Sequence, residues 1–268
     1  MSELSPDEKK ALQLRELEIL DFFADVCKRN GLRYFIIAGT LLGAVRHGGF
    51  IPWDDDIDVA MPRRDFNKFA KICKKELPDG YFFQSSKTEK EYPFFFAKLR
   101  RDGDAVNESI LESHDIHKGC YIDVFPLDKC PRSTRGRKML FKLVEIYSCA
   151  LVAKANKDFT CEYQKGGARF LFAIAKRLPI RVVKALRGST RVLISAFCSG
   201  KTLATISGTH GYEKEYYESD WYFDGEKTLV FEGRECPAPP GYEKQLTHMY
   251  GDYMTPPDES KRGGHFNK

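Results

Sequence analysis

Two carboxylates separated by one apolar residue, Asp56 and Asp58 in Trp53-Asp54-Asp55-Asp56-Ile57-Asp58-Val59-Ala60-Met61, constrain this chain more than any other feature. In an extended segment successive side chains alternate between faces, so Asp56 and Asp58 project together while Ile57 and Val59 face the apolar side. Like charges held side by side repel unless a cation stands between them. Oxygen-only ligands select a hard divalent ion, and Mg²⁺ (or Mn²⁺) takes one or two protein carboxylates and completes its shell with water and substrate phosphate oxygens. The pattern predicts a site that handles phosphate.

The residues before it agree. Tyr34-Phe35-Ile36-Ile37-Ala38 reads as a short buried strand at 33–38, and Gly39-Thr40 then opens a helix at 40–47 whose first N–H groups can hold a phosphate. Gly39 permits close backbone approach, and Thr40 adds a hydroxyl. The competing reading of 54–58 is a solvated acidic loop. A third carboxylate weighs against it: Asp123 sits in Gly119-Cys120-Tyr121-Ile122-Asp123-Val124-Phe125, a strand-like run in which a buried carboxylate needs a partner.

With 268 residues, 42% of them hydrophobic, the chain can bury a substantial core. A net charge of +5 suits anionic substrates without pointing to nucleic acid. The eight cysteines are scattered with no C-x-x-C pair, which favours free thiols over a zinc site or a disulfide framework. No apolar run reaches the ~18 residues of a membrane span and residues 1–20 are charged, so a cytoplasmic chain, peripheral to the inner membrane face at most, is expected.

Along the chain, Ser5-Pro6-Asp7-Glu8 forms a capping-box pattern ahead of an apolar helical face ending at Asn30-Gly31. Strands are expected at 55–61, 81–85, 93–101 and 119–125, and a helix at 63–77. From 134 to 210 the pattern turns helical. Between Lys165 and Lys201 it carries nine basic residues and no acidic one, interleaved with large apolar side chains; the readings are a membrane-surface or polyanion-binding element, or a packed helical part with a solvated basic face. A hairpin turning at Asp224-Gly225 and a helix over 240–249 follow.

The segments GTLLGAVRHGGFIPWDDDIDVAMPR, FAKLRR, YIDVFPLD and YGDYMTPP closely resemble the LicD family of phosphotransferases, whose animal relatives include fukutin and fukutin-related protein. The resemblance implies an α+β fold: a nucleotidyltransferase-like mixed β-sheet core flanked by helices, with an appended helical subdomain. The expected division is a catalytic core at 1–133, a basic helical subdomain at 134–210, and a C-terminal hairpin and helix at 211–268 that pack back on the core.

Phosphoryl-type transfer depends on positioning and on neutralising charge on the moving phosphate. The expected metal ligands and catalytic residues are Asp56, Asp58 and Asp123, with Asp123 open to two roles: second-metal ligand, or acceptor of the proton from the attacking hydroxyl. Gly39, Thr40, Arg46, His47, Lys98 and Arg100 are the expected substrate contacts; Lys98 and Arg100 alternate along one strand and so share a face. Surface ion pairing is the competing reading for the three long cations, a solvated turn for His47 and packing for Trp53. The resemblance further implies a CDP-activated donor, transfer of a phosphocholine-type group to a hydroxyl of a cell-surface glycan or teichoic-acid-type precursor, and release of CMP. A lipid-linked acceptor and peripheral contact with anionic membrane fit the same picture; nucleic acid does not. The alternatives are a true nucleotidyltransferase acting on a small acceptor, and a non-catalytic glycan- or membrane-binding module.

Overall fold

A computed structural model describes residues 5–106, 108–206 and 210–262, and its fold is α+β. Helix α1 (Pro6–Arg29) begins at Ser5, whose hydroxyl accepts the Glu8 N–H while the Glu8 carboxylate accepts the Ser5 N–H. Its apolar positions Leu12, Leu17, Leu20, Phe23 and Val26 are buried in the main core, each contributing about 1.5–3 kcal/mol relative to exposure.

The sheet is mixed. Its central path runs β1 (Phe35–Ile36), β2 (Asp58–Pro62), β5 (Gly119–Lys129), β4 (Ala97–Ala105) and β3 (Tyr81–Gln84), and β6 (Thr202–Ala204) and β7 (Tyr216–Glu218) continue from the far end of β5. Among the described strands only β2 and β5 pair in parallel, with Asp58 opposite Asp123; β4 is antiparallel to β5, with Lys98 also opposite Asp123. Helix α2 (Ala38–His47) connects β1 to the acidic segment, and α3 (Arg63–Glu76) follows β2 directly. Asp128 near the end of β5 is buried against Arg63 of α3, Nε to Oδ1 at 2.7 Å, and against Arg191 at 3.1 Å.

The segment after β5 holds α4 (Thr134–Ala155), α5 (Arg169–Arg177) and α6 (Ile180–Ala196), packed around a small core of their own that includes Ile146, Leu151, Phe172 and Val183. The chain then returns through β6 and β7 to α7 (Asp220–Phe223), the hairpin β8 (Lys227–Phe231) and β9 (Arg234–Ala238), and α8 (Tyr242–Tyr250). Phe231, Cys236, Ala238 and Leu246 join the same core as α1 and the sheet.

Several elements differ from the sequence reading. The strand expected over 33–38 pairs only at Phe35–Ile36, because α2 already starts at Ala38. The strand expected over 55–61 starts at Asp58, leaving Asp56 in the irregular segment before it. The hairpin turns at Glu232-Gly233, both at positive φ (48° and 75°), and not at Asp224-Gly225, where Asp224 instead caps α7. Glu232 is held in that conformation from both ends: its N–H donates to the Gly48 carbonyl at 2.9 Å, and its carboxylate accepts the Phe50 N–H at 3.2 Å. All eight cysteines are free thiols. Among the described residues, no helix is long and apolar enough to cross a membrane.

Candidate active site

Strand register assembles the site. Asp58 on β2, Asp123 on β5 and Lys98 on β4 occupy one row across three adjacent strands, so their side chains share a face. Asp56 reaches the same point from the segment before β2: carboxylate oxygens of Asp56, Asp58 and Asp123 all lie within 4.8 Å of one another, and all three residues are buried. Asp54, Asp55 and Asp56 form a second such group. The donor set is purely carboxylate oxygen, which fits Mg²⁺ or Mn²⁺ and disfavours softer ions.

The approach to these carboxylates is built by α2. Ile37, Ala38 and Gly39 line the cavity at its first turn, Ala38 at a φ of 48°, a strained value for a residue with a Cβ. At Gly39 an added Cβ would overlap an Asp54 carboxylate oxygen, so any larger residue there would push the Asp54 side chain aside. Thr40 lies behind them, buried, and its hydroxyl accepts the Asp58 N–H at 2.8 Å. Its hydroxyl thus fixes the acidic strand and does not face the cavity.

The cations sort differently from the expectation. Lys98 lines the cavity with its Nζ 2.8 Å from Asp123 and 3.1 Å from Glu108, over the face of Tyr121. Arg100 shares the face of β4 but is fully buried and is not among the residues lining the cavity; it donates to Gln84 (2.7 Å), the Gly119 carbonyl (2.6 Å) and Glu108 (2.5 Å). Arg46 lines the cavity and donates to the Tyr253 carbonyl at 2.8 Å. His47, one residue on, is exposed and off the cavity wall.

The electrostatics follow from burial. Asp123 is pushed up to about 6 by removal from water, against the pull of Lys98, with the Asp56 charge adding to the rise. Burial also works against the charge on Glu108, but Lys98 and Arg100 outweigh it and hold its pKa below the ordinary value. Glu16, from α1, is fully buried behind the acidic segment, with no hydrogen-bond partner for either oxygen among the described residues. Burial first, and then Asp56, Asp55, Asp54 and Asp123, raise its pKa well above the usual range, which favours the neutral acid.

The cavity has a volume of about 900 Å³. One wall is aromatic: Phe94, Phe96 and Phe125 stack in a row, with ring centroids 5.1 and 4.5 Å apart. Another comes from the C-terminal segment, with Tyr250, Tyr253, Pro256 and Asp258 beside Trp53. Arg46 and Arg262 both approach the Trp53 ring, at 5.9 and 4.8 Å from its centroid, so this tryptophan is a wall residue and not only packing. Glu16, Glu108 and Arg262 escaped the sequence reading because nothing in their local patterns marks them, and Tyr121 lay in the quoted motif YIDVFPLD without a role attached to it. Tyr250, Tyr253 and Pro256 did lie in a quoted motif, YGDYMTPP, to which the sequence attached no role.

The sequence model described as "LicD/FKTN/FKRP, nucleotidyltransferase domain" matches residues 31–137, which hold every carboxylate of the row and all of β2, β4 and β5. The lipopolysaccharide cholinephosphotransferase LicD of Haemophilus influenzae is 28% identical over 277 aligned residues, covering 97% of this chain and 98% of that protein. The human ribitol 5-phosphate transferase FKRP is 42% identical over 109 residues, which is 41% of this chain and 19% of FKRP. An uncharacterized Rickettsia prowazekii protein, RP689, is 46% identical over 128 residues, 41% of this chain and 46% of its own. The match to the LicD/FKTN/FKRP model thus covers residues 31–137, and likeness to a LicD protein runs on through nearly the whole length of the chain.

Proposed function

We propose that this protein transfers a phospho-alcohol group, of the phosphocholine type, from a CDP-activated donor to a hydroxyl of a cell-surface glycan or its lipid-linked precursor, releasing CMP. The observation that carries the reading is the row Asp58, Asp123 and Lys98, joined by Asp56, on one face of the sheet inside a large cavity. The names of the Haemophilus and human relatives support a phosphorylated alcohol as the transferred group. The nucleotidyltransferase-like fold is part of the same proposal. So is the division of labour: 1–133 and 211–268 supply most of the cavity wall, and 134–210 is an appended part whose helices α4 to α6 have a core of their own, while its end, from β6 onward, returns to the main sheet and brings Thr205 and His210 to the cavity.

In this scheme Asp56, Asp58 and Asp123 hold Mg²⁺ or Mn²⁺. When bound, the ion neutralises the donor diphosphate and supplies Lewis-acid polarisation of its oxygens. The helix start at Ala38 and Gly39 offers backbone N–H groups to a phosphate, while the Ile37 N–H donates to the Asp58 carbonyl at 3.1 Å, and Arg46 adds a fixed positive charge. Lys98 orients Asp123. The acceptor oxygen attacks the phosphorus that bears the alcohol, and the bond from that phosphorus to the bridging oxygen breaks. CMP leaves with that oxygen, and a phosphodiester remains on the glycan. In place of metal ligation, Asp123 has a second candidate role, as acceptor of the proton from the attacking hydroxyl.

A panel of CDP-choline, CDP-ribitol, CDP-glycerol and CDP-ethanolamine with magnesium, read by mass spectrometry, tests the reading. Free CMP and an acceptor heavier by the phospho-alcohol support it. An acceptor that keeps the nucleotide assigns true nucleotidyl transfer instead, and no turnover with any donor and glycan overturns the assignment.

A further inference from the structure

The helix α6 is amphipathic in the reverse sense to an ordinary surface helix. Three of its cations face the protein. Lys184 donates to the carbonyls of Ser86 (2.9 Å) and Glu89 (2.8 Å). Arg187 is buried and donates to the carbonyls of Pro93 and Phe94, and Arg191 pairs with Asp128. At 3.6 residues per turn, Val182, Leu186, Leu193 and Phe197 fall within an arc of about 60° on the other side. All four are exposed, Leu193 by 62% and Phe197 by 91%. On α5, Phe170 and Ile174, one turn apart, are exposed as well, Phe170 by 77%. Isolated exposed apolar side chains are ordinary; a stripe along a helix whose charges are turned inward is not.

The exposed cations of the same stretch lie beside these residues in sequence. Arg169, Lys176, Arg177 and Arg181 are exposed, and no acidic residue occurs between Lys165 and Lys201. Apolar side chains edged by positive charge match the acyl boundary and headgroups of an anionic bilayer. The same charge disfavours a second copy of this face, because two such faces would repel. A nucleic acid would leave the apolar stripe without a partner.

We propose that α5 and α6 form a docking surface for an anionic membrane, with Leu193 and Phe197 entering the headgroup and acyl boundary and Arg169, Lys176, Arg177 and Arg181 meeting the lipid phosphates. The proposal stands apart from the transferase reading, since it concerns a surface and not the cavity. It narrows the membrane-surface reading of the stretch, because Lys184, Arg187 and Arg191 are committed to the protein.

Flotation of the full chain with vesicles tests it. Phosphatidylcholine vesicles containing about 30% phosphatidylglycerol should carry the protein up the gradient, vesicles of phosphatidylcholine alone should carry much less, and about 0.5 M salt should release most of it. The double variant Leu193→Ser, Phe197→Ser should bind anionic vesicles at least about tenfold more weakly, with an unchanged melting temperature because both side chains are already exposed. If the double variant misfolds, Phe197→Ser alone should still weaken binding severalfold. Arg177→Gln with Arg181→Gln should weaken binding and flatten its salt dependence. Failure of the wild type to float at low salt overturns the proposal, as does equal flotation of wild type and folded variants. A self-association abolished by Leu193→Ser, without vesicle binding, would assign the stripe to a second copy and overturn it too.

Discussion

The Thr40 hydroxyl is committed to the chain, where it accepts the N–H of Asp58 in a buried setting. Thr40→Val would leave that N–H without its partner, a cost of about 1–3 kcal/mol, whereas Thr40→Ser keeps the acceptor. Urea denaturation should show this loss for the valine variant only, accompanied by lower activity as Asp58 loses its fixed position. Asp56→Asn and Asp58→Asn act in the opposite sense on stability. Removing a negative charge from a crowded carboxylate group relieves repulsion, so the metal-free variants should melt at the wild-type temperature or above it, while turnover falls at least about a hundredfold. Substantial activity at saturating magnesium would remove these residues from the proposed metal site. Asp123 adds a pH signature. Its folded pKa of about 6 lies above the ordinary carboxylate value of 3.8, so its contribution to folding is full below about pH 4 and is lost as the pH rises through about 6. A bound divalent cation holds the same carboxylate charged. The rise in melting temperature on adding Mg²⁺ should therefore grow between about pH 5 and pH 7.5, and Asp123→Asn should flatten that growth.

Among the elements, β5 carries the most. Its middle supplies Asp123, and its end supplies Asp128, which fastens the strand to α3 through Arg63 and to α6 through Arg191. Asp128→Ala would strand two partly buried guanidinium groups. The expected loss is about 2–3 kcal/mol, below the figure for a fully buried pair because both arginines keep some contact with water, and chemical denaturation checks it. Much of this layer was legible in the sequence. The alternation around Asp58 and Asp123 gave the two central strands, and the capping box at Ser5 gave the start of α1. Other elements had no local signal. The short strands β6 and β7 exist because β5 is there to pair with. The turn at Glu232-Gly233 was hidden because glutamate seldom adopts positive φ; contacts with Gly48 and Phe50, remote in sequence, hold it there. Arg100 shows the same limit within one strand: periodicity gave its face correctly, but Glu108 and Gln84, which enclose it, belong to other parts of the chain.

At the scale of the molecule, the cavity is closed by residues from both ends of the chain. Tyr253, Thr255, Pro256 and Asp258 stand across from α2, and the segment is attached through Arg46 to the Tyr253 carbonyl and through Arg262 to Trp53. Most of this segment is exposed, so ending the chain at Tyr250 should lower stability by no more than about 1–2 kcal/mol. It should raise the donor KM about tenfold with a smaller effect on kcat, which steady-state kinetics on the truncated protein would show. The site itself depends on three strands whose key residues, Asp58, Lys98 and Asp123, are far apart in sequence and meet only through register. That arrangement divides the gene into tolerant and intolerant stretches. Codons inserted into the exposed connection at 224–226 between α7 and β8 leave the row intact, because the loop can absorb them. A single codon inserted into β5 just ahead of Ile122 would slip the strand by one position, turn the Asp123 carboxylate into the apolar core, and present isoleucine to the cavity in its place.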